Sequence, residues 1–124
     1  MRKPSLTPLF SICIRIDLDT DRSIGPGKIQ LLENIRSCGS ISAASRAMNM
    51  SYKHAWELVD EINRACGLAA IETREGGKHG GGSTLTPFGL SLVNRYRNIE
   101  RLVGSAARKE LLALQADIGV RRKA

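Results

Sequence analysis

Three residues that end helices, Gly39, Asn49 and Gly67, constrain this chain more than any other feature. Between residues 28 and 66 the apolar residues recur at helical steps, and these three positions interrupt them. Ile29, Leu32 and Ile35 predict a helix over 28–38 with Gly39 as its stop. Ser40 or Ser42 caps a short Ala-rich helix from Ile41 to Met48, and Asn49 follows as a turn residue, since Asn tolerates positive φ. Ser51 caps a longer helix that ends at Cys66 before Gly67. Ala55, Val59 and Ile62 form its apolar stripe with Leu58 beside it, and Lys53, His54, Glu57 and Arg64 lie outside the stripe.

The flanks have other periods. From Leu9 to Asp19, Phe10, Ile12, Ile14, Ile16 and Leu18 alternate with Ser11, Cys13, Arg15, Asp17 and Asp19, the pattern of a half-buried strand. A turn is expected at Ile24-Gly25-Pro26-Gly27. Leu68–Thr73 and Ser83–Thr86 predict two short strands, joined by the glycine-rich stretch 74–82 into a hairpin with a flexible tip. From Pro87 the pattern is helical for about thirty residues, with Leu92, Tyr96, Ile99, Val103 and Ala106 as its stripe and Leu111 and Leu114 continuing it. Arg121, Arg122 and Lys123 are expected as a frayed basic tail.

This order, strand, three helices, hairpin and long helix, predicts a mainly α fold with a small β-sheet. It is the winged helix-turn-helix, with an N-terminal strand, a two-stranded wing and a long C-terminal dimerisation helix. The N-terminal strand could join the hairpin in a three-stranded sheet. The expected parts are a DNA-binding domain over 1–86 (helix-turn-helix about 40–66, wing about 68–86), a dimerisation helix over 87–116 and a basic tail over 117–124.

Composition then excludes several classes. The 124 residues suit one domain, and at 42% hydrophobic and 25% charged they are not those of a disordered chain. No run of about 18 apolar residues is present, and charges at Arg15, Asp17 and Asp19 break the one near the N-terminus. A cytoplasmic protein is therefore expected. Cys13, Cys38 and Cys66 are too few and too widely spaced for a disulfide framework or zinc site, and are expected as small buried hydrophobes. Five aromatics are too sparse for a stacking surface of the kind RNA modules use.

The net charge of +7 suggests a polyanionic partner, but its location matters. Residues 39–66 carry Arg46, Lys53 and Arg64 against Glu57, Asp60 and Glu61, and are neutral overall. Residues 95–124 carry eight basic and three acidic side chains, so most of the surplus is C-terminal.

Function is better argued from spacing. A helix-turn-helix needs a small residue where its helices meet, a left-handed turn residue and apolar residues flanking the turn. Ala44 and Ser45, Asn49, and Met48, Met50, Ala55 and Leu58 supply these. In such a motif the second helix enters the major groove by its N-terminal turn. Ser51 and Tyr52 can then reach phosphates or base edges, and Lys53 a guanine or a phosphate. Glu57 can accept from cytosine or remain a solvated charge, and Trp56 can touch DNA or pack at the domain edge.

Gly77-Lys78 is followed by His79 and a strand, so it does not match a phosphate-cradling P-loop, which needs Ser or Thr and then a helix. A wing fits better, with Arg74, Lys78 and His79 as donors at the sugar-phosphate rim; the competing reading is a hairpin tip with no partner. The stripe Leu92, Tyr96, Ile99, Val103 and Ala106 is too long for one small domain to bury, which points to a homodimer interface unless the helix folds back on its own domain.

Ser-Ile-Ser-Ala-Ala at 40–44, Ser-Tyr-Lys-His-Ala-Trp-Glu at 51–57, Asp-Glu-Ile-Asn at 60–63 and Gly-Gly-Lys-His-Gly-Gly-Gly-Ser-Thr-Leu-Thr at 76–86 resemble a known signature. It is that of the N-terminal DNA-binding domain of the molybdate-responsive regulator family ModE, related to LysR-type winged helices. The resemblance runs over roughly 9–115, and the SYKxAW and GGKxGGGxxLTxxG stretches, closed by Gly89, are its most specific parts. Asn49 stands where the family has glycine before the recognition helix. The resemblance implies a homodimeric repressor or activator on double-stranded operator DNA, with a separate pair of small β-barrels as molybdate sensor. Those barrels have no counterpart before Ala124, so molybdate binding by this chain is not expected.

The expectation is a sequence-specific transcriptional regulator, binding an inverted repeat as a homodimer at molybdenum-related genes. It needs no cofactor, metal, catalytic residue or membrane. Its rivals are a protein-interaction winged helix and a non-specific DNA binder. An enzyme is disfavoured because His54 and His79 lack spaced catalytic or metal-binding partners.

Overall fold

The computed structural model describes residues 10–77 and 80–122, with side chains described for 10–74 and 82–119. The elements are β1 (Ile16–Asp17), β2 (Ser23–Ile24), α1 (Pro26–Cys38), α2 (Ile41–Ala47), α3 (Tyr52–Cys66), β3 (Ile71–Gly77), β4 (Gly80–Leu85) and α4 (Pro87–Arg122). The fold is mainly α, as the sequence predicts, with its strands in two small antiparallel sheets instead of one. The described residues divide into a compact unit over 14–97 and a second one formed by 10–13 and 98–122.

The three stop signals act as expected. Gly39 and Gly67 adopt left-handed φ of 83° and 67° and close α1 and α3 by donating to the carbonyls of Ile35 and Asn63. Pro26 lies in the first turn of α1, where a missing N–H costs nothing, so the residues expected as a turn already belong to β2 and the helix. In the unit over 14–97, Ile29, Leu31, Leu32 and Ile35 of α1 pack with Ile41 and Ala44 of α2 and with Ala55, Val59 and Ile62 of α3. Ile71, Leu85, Val93 and Tyr96 complete this core.

The N-terminal strand departs from expectation. Only Ile16 and Asp17 pair, with Ile24 and Ser23, because the chain reverses sooner: Leu18 and Asp19 both donate their N–H to the carbonyl of Arg22. Ile14 does not enter a ladder, and its carbonyl accepts the Tyr96 hydroxyl at 2.8 Å. The strand therefore does not extend the hairpin sheet; β1–β2 and β3–β4 are separate sheets. The period-2 pattern survives as exposure, with Ile12, Ile14 and Ile16 half-buried and Ser11, Cys13 and Arg15 exposed.

The hairpin ladder is longer than predicted and reaches Gly77↔Gly80, with an irregularity between Arg74 and Gly77. α4 continues to Arg122, so residues 117–122, expected as a tail, are helical. Cys13 and Cys38 are exposed rather than buried: Cys13 takes the outer side of the N-terminal alternation, and Cys38 is the last residue of α1. Among the described residues no helix is long and apolar enough to cross a membrane.

Side chains also hold the elements of this unit together. Asn63 Oδ1 accepts from Ala70 N–H at 2.9 Å, joining the end of α3 to the approach to β3. Thr86 donates its hydroxyl to the carbonyl of Ala69 and accepts from Gly89 N–H, which caps α4 against the same segment. Gly89 is required there, because a Cβ would collide with the carbonyl of Ala70.

Arg97 forms a two-pronged ion pair with Glu33 at 2.7 and 3.0 Å, tying α4 to α1. The guanidinium holds the Glu33 carboxyl below the usual glutamate range. A carboxyl lowered on folding stabilises above its unfolded pKa, and that contribution is lost as pH falls through the folded value. Denaturant melts should show wild type more stable than Glu33→Gln at pH 7, and the gap should close on acidification through the glutamate range. A constant gap would disprove the coupling.

Candidate nucleic-acid interface

The helix-turn-helix is held by local hydrogen bonds that leave one end of α3 open. Ser40 Oγ accepts from Ala43 N–H and Ser51 Oγ from His54 N–H, each at 3.0 Å, so both helices carry side-chain N-caps. Asn49 has φ 57°, as its place in the turn predicts. Around it Met48 N–H donates to Ala44, Asn49 N–H to Arg46 and Met50 N–H to Ser45. Ala44 is fully buried and Ser45 nearly so, the small contact that lets the helices cross.

With Ala55, Val59 and Ile62 turned into the core, α3 presents the opposite face outward. Ser51, Tyr52, Lys53, His54, Trp56 and Glu57 are all exposed. No acidic residue lies in its first turn, so the positive end of the helix dipole meets only Lys53 and neutral donors. Tyr52 and Trp56, 53% and 38% exposed, stand edge to face with ring centroids 6.3 Å apart. Glu57 approaches His54 Nδ1 at 3.6 Å, and Asp60 pairs with Arg64 at 3.1 Å further along the helix.

The structure brings part of the expected set together. Tyr52, Trp56 and Arg74 line one cleft of about 240 Å³ with Ser40, Ile41, Ser42, Thr73, Gly82 and Ser83. Ser51, Lys53 and Glu57 lie on the exposed face of α3 but not among these lining residues. Lys78 and His79 lie outside the described residues. Ser40, Ser42, Thr73 and Ser83 were not foreseen as part of the site. Thr73 and Ser83 are opposite each other in the hairpin, which only the strand register reveals.

A larger cleft of about 420 Å³ lies elsewhere, lined by Asp21, Arg22, Lys28, Glu61, Arg64 and Ala65. Each of its cations has an acidic partner: Lys28 pairs with Glu61 of the same lining at 3.6 Å, and Arg22 and Arg64 pair with Asp19 at 2.8 Å and Asp60 at 3.1 Å outside it. Burial pushes the neighbouring Cys66 thiol up, with Lys28 opposing.

The expected dimer residues divide between the two units. Tyr96 is 1% exposed in the core of its own chain, bonded to Ile14, and Leu92 packs against the same core. Tyr96 is therefore a core residue and not a contact for a second copy. In the other unit Ile99, Val103 and Ala106 are exposed, with Leu102 at 56%, Leu114 and Ile118 also exposed. Gly104, Ser105, Arg108 and Leu111 of that unit line a separate cleft with Phe10, Ser11 and Ile12.

This arrangement, a helix-turn-helix whose second helix keeps an exposed face beside a two-stranded wing, defines a winged helix-turn-helix protein. The crystal structure of the CbnR_DBD–DNA complex shares the fold, with a TM-score of 0.55 at 18% identity over 71% of this chain and 95% of that one. No family model matches the sequence.

The transcriptional regulator ModE of Haemophilus influenzae is 36% identical over 90 residues, 73% of this chain and 35% of that protein. The DNA-binding transcriptional dual regulator ModE of Escherichia coli K12 is 35% identical over 68% of this chain and 32% of its own length. The molybdenum-pterin-binding protein MopB of Rhodobacter capsulatus is 41% identical over 65% of this chain and 30% of its own. The chain is a homologue of the N-terminal part of the ModE transcriptional regulators, and spans about a third of the length of these relatives.

The turn yields a direct test. Left-handed backbone costs an ordinary L-residue about 1–2 kcal/mol, and Asn somewhat less. Asn49→Ala should lower stability by about 1 kcal/mol while Asn49→Gly stays within about 0.5 kcal/mol of wild type. Equal thermal midpoints for wild type and Asn49→Ala would contradict the turn geometry.

Proposed function

We propose that this chain reads double-stranded operator DNA as a homodimer and serves a transcriptional regulator of molybdenum-related genes. The observation that carries the reading is the open N-terminal end of α3. It is free of acidic side chains in its first turn, and its Tyr52 and Trp56 share a cleft with Arg74 of the wing. Ser51, Tyr52, Lys53, Trp56 and Glu57 face the major groove in this reading. Arg74, with Lys78 and His79 of the glycine-rich stretch, meets the phosphate rim in the same reading. The relatives' names support regulation rather than catalysis, and the name of MopB supports the molybdenum connection. The proposal includes no molybdate site in this chain and places its action in the cytoplasm, with the DNA.

Fragments selected from the source genome supply the duplex for the test. Lys53→Ala should weaken the selected site by about 1–3 kcal/mol and reduce discrimination against altered sites. Arg74→Ala and Lys78→Ala should instead weaken all duplexes alike and flatten the salt dependence. Emission of the single tryptophan, Trp56, should change on titration with the selected duplex. Failure to select any sequence, with affinity independent of these side chains, would favour non-specific binding or a protein partner.

The homodimer is part of the same proposal and is supported by the apolar residues that α4 leaves exposed, Ile99, Leu102, Val103, Leu114 and Ile118. Leu102→Asp combined with Val103→Asp should halve the mass seen by sedimentation. It should also weaken a two-half-site operator by about 100-fold, the avidity of joined modules. An unchanged mass would reject this face as the interface.

A further inference from the structure

We infer that the cleft between α2, α3 and the root of the wing seats one backbone phosphodiester of the bound duplex. The inference rests on the DNA-binding reading and deepens it by naming what occupies this cleft. The first argument is the chemistry of the lining. Ser40, Ser42, Tyr52, Thr73 and Ser83 bring hydroxyls, Trp56 an indole N–H and Arg74 a guanidinium, and no described lining residue is a carboxylate. A phosphodiester oxygen only accepts hydrogen bonds, so it suits a cleft whose polar side chains all donate.

The second argument concerns where the hydroxyl protons are free. Ser40 Oγ already accepts from Ala43 N–H, and Ser42 Oγ accepts from Arg46 Nη1 at 2.8 Å. With each oxygen already accepting one bond, its O–H remains available to donate. Arg46 also lends Ser42 a positive charge at second hand. Thr73 and Ser83 are cross-strand partners, so their side chains leave the hairpin on one face. Among the described residues, no side-chain hydrogen bond engages Thr73, Ser83 or the Tyr52 hydroxyl.

The third argument is rigidity. Ser83 N–H donates to the Gly39 carbonyl at 2.8 Å, which fastens the root of the wing to the α1–α2 junction. At Gly82 a Cβ would come within 3.0 Å of that same carbonyl, so glycine allows the approach. The wing side of the cleft is therefore fastened to the α1–α2 junction before DNA arrives, which lowers the ordering cost of binding. A phosphate seated there is held from three elements and sets the register in which α3 meets the bases.

Methylphosphonate substitution tests this on the selected duplex with the full chain, because it removes the charge of one linkage and leaves the bases intact. Neutralising one linkage per half-site should weaken wild type about tenfold. The same linkage should cost the Ser42→Ala, Thr73→Val double variant only about threefold, because Arg74 and the other donors remain, while other sensitive linkages keep their full effect. A melting temperature near wild type checks that the variant is folded; Ser83→Ala serves in its place if it is not. Equal penalties in wild type and variant at every linkage would overturn the inference and leave the DNA-binding reading standing. Failure to bind any duplex would overturn both. Inorganic phosphate is titrated separately against chloride at equal ionic strength. Saturable millimolar binding that the variant loses, without coupling to a linkage, would assign the cleft to a free oxyanion and overturn the phosphodiester assignment.

Discussion

The hydrogen bond from Ser83 N–H to the Gly39 carbonyl is the contact on which the reading surface depends. Gly39 serves two elements at once. Its N–H closes α1 on Ile35 in a left-handed conformation, and its carbonyl receives the wing. Because α2 starts two residues later, the end of one helix, the start of the next and the root of the wing meet at one backbone unit. The apolar core supplies stability for this region, and the directional bond between two backbone groups fixes where the root of the wing meets the α1–α2 junction.

Charge placement follows a similar economy. The chain's positive surplus says little about where an anion would sit, since residues 39–66 are neutral overall. Within that neutral stretch the order along α3 matters. Lys53 and the neutral donors occupy the first turn, whereas Asp60 and Glu61 come two turns later, with Asp60 held by Arg64 and Glu61 near Lys28. The helix dipole adds to this asymmetry. The larger cleft shows the opposite case: it has more charged groups, but each of its cations is already engaged by a carboxylate.

How much of this was legible in the sequence depended on how local each cause was. Gly39, Asn49 and Gly67 act through their own dihedral angles, and Ser51 through an N–H three residues away, so each could be read directly. The alternation of Ile12, Ile14 and Ile16 correctly gave the buried side but not a partner strand, because exposure follows residue type while pairing depends on where the chain turns back. Tyr96 belonged to an apolar stripe that reads as one face of a single helix. Its hydroxyl meets a carbonyl 82 residues earlier in the chain, and no helical periodicity encodes that contact. The hydroxyls around the cleft were hidden for the same reason, since Thr73 and Ser83 are neighbours only through the hairpin register.

Pinning the hairpin at Ser83 also sets rules for how this protein could diversify. Adding or removing a single residue between Ile71 and Arg74, or between Gly82 and Leu85, would exchange the two faces of one strand relative to its partner, turning Thr73 away from the cleft or Leu85 out of the core. Length changes that keep both faces must therefore occur beyond Arg74 and Gly82, towards the tip, where the ladder is already irregular. Relatives that read different backbones or grooves would be expected to vary in the length and charge of that tip, while keeping small residues at positions 39 and 82. The wing thus behaves as a replaceable probe on a mount whose dimensions are not free to drift.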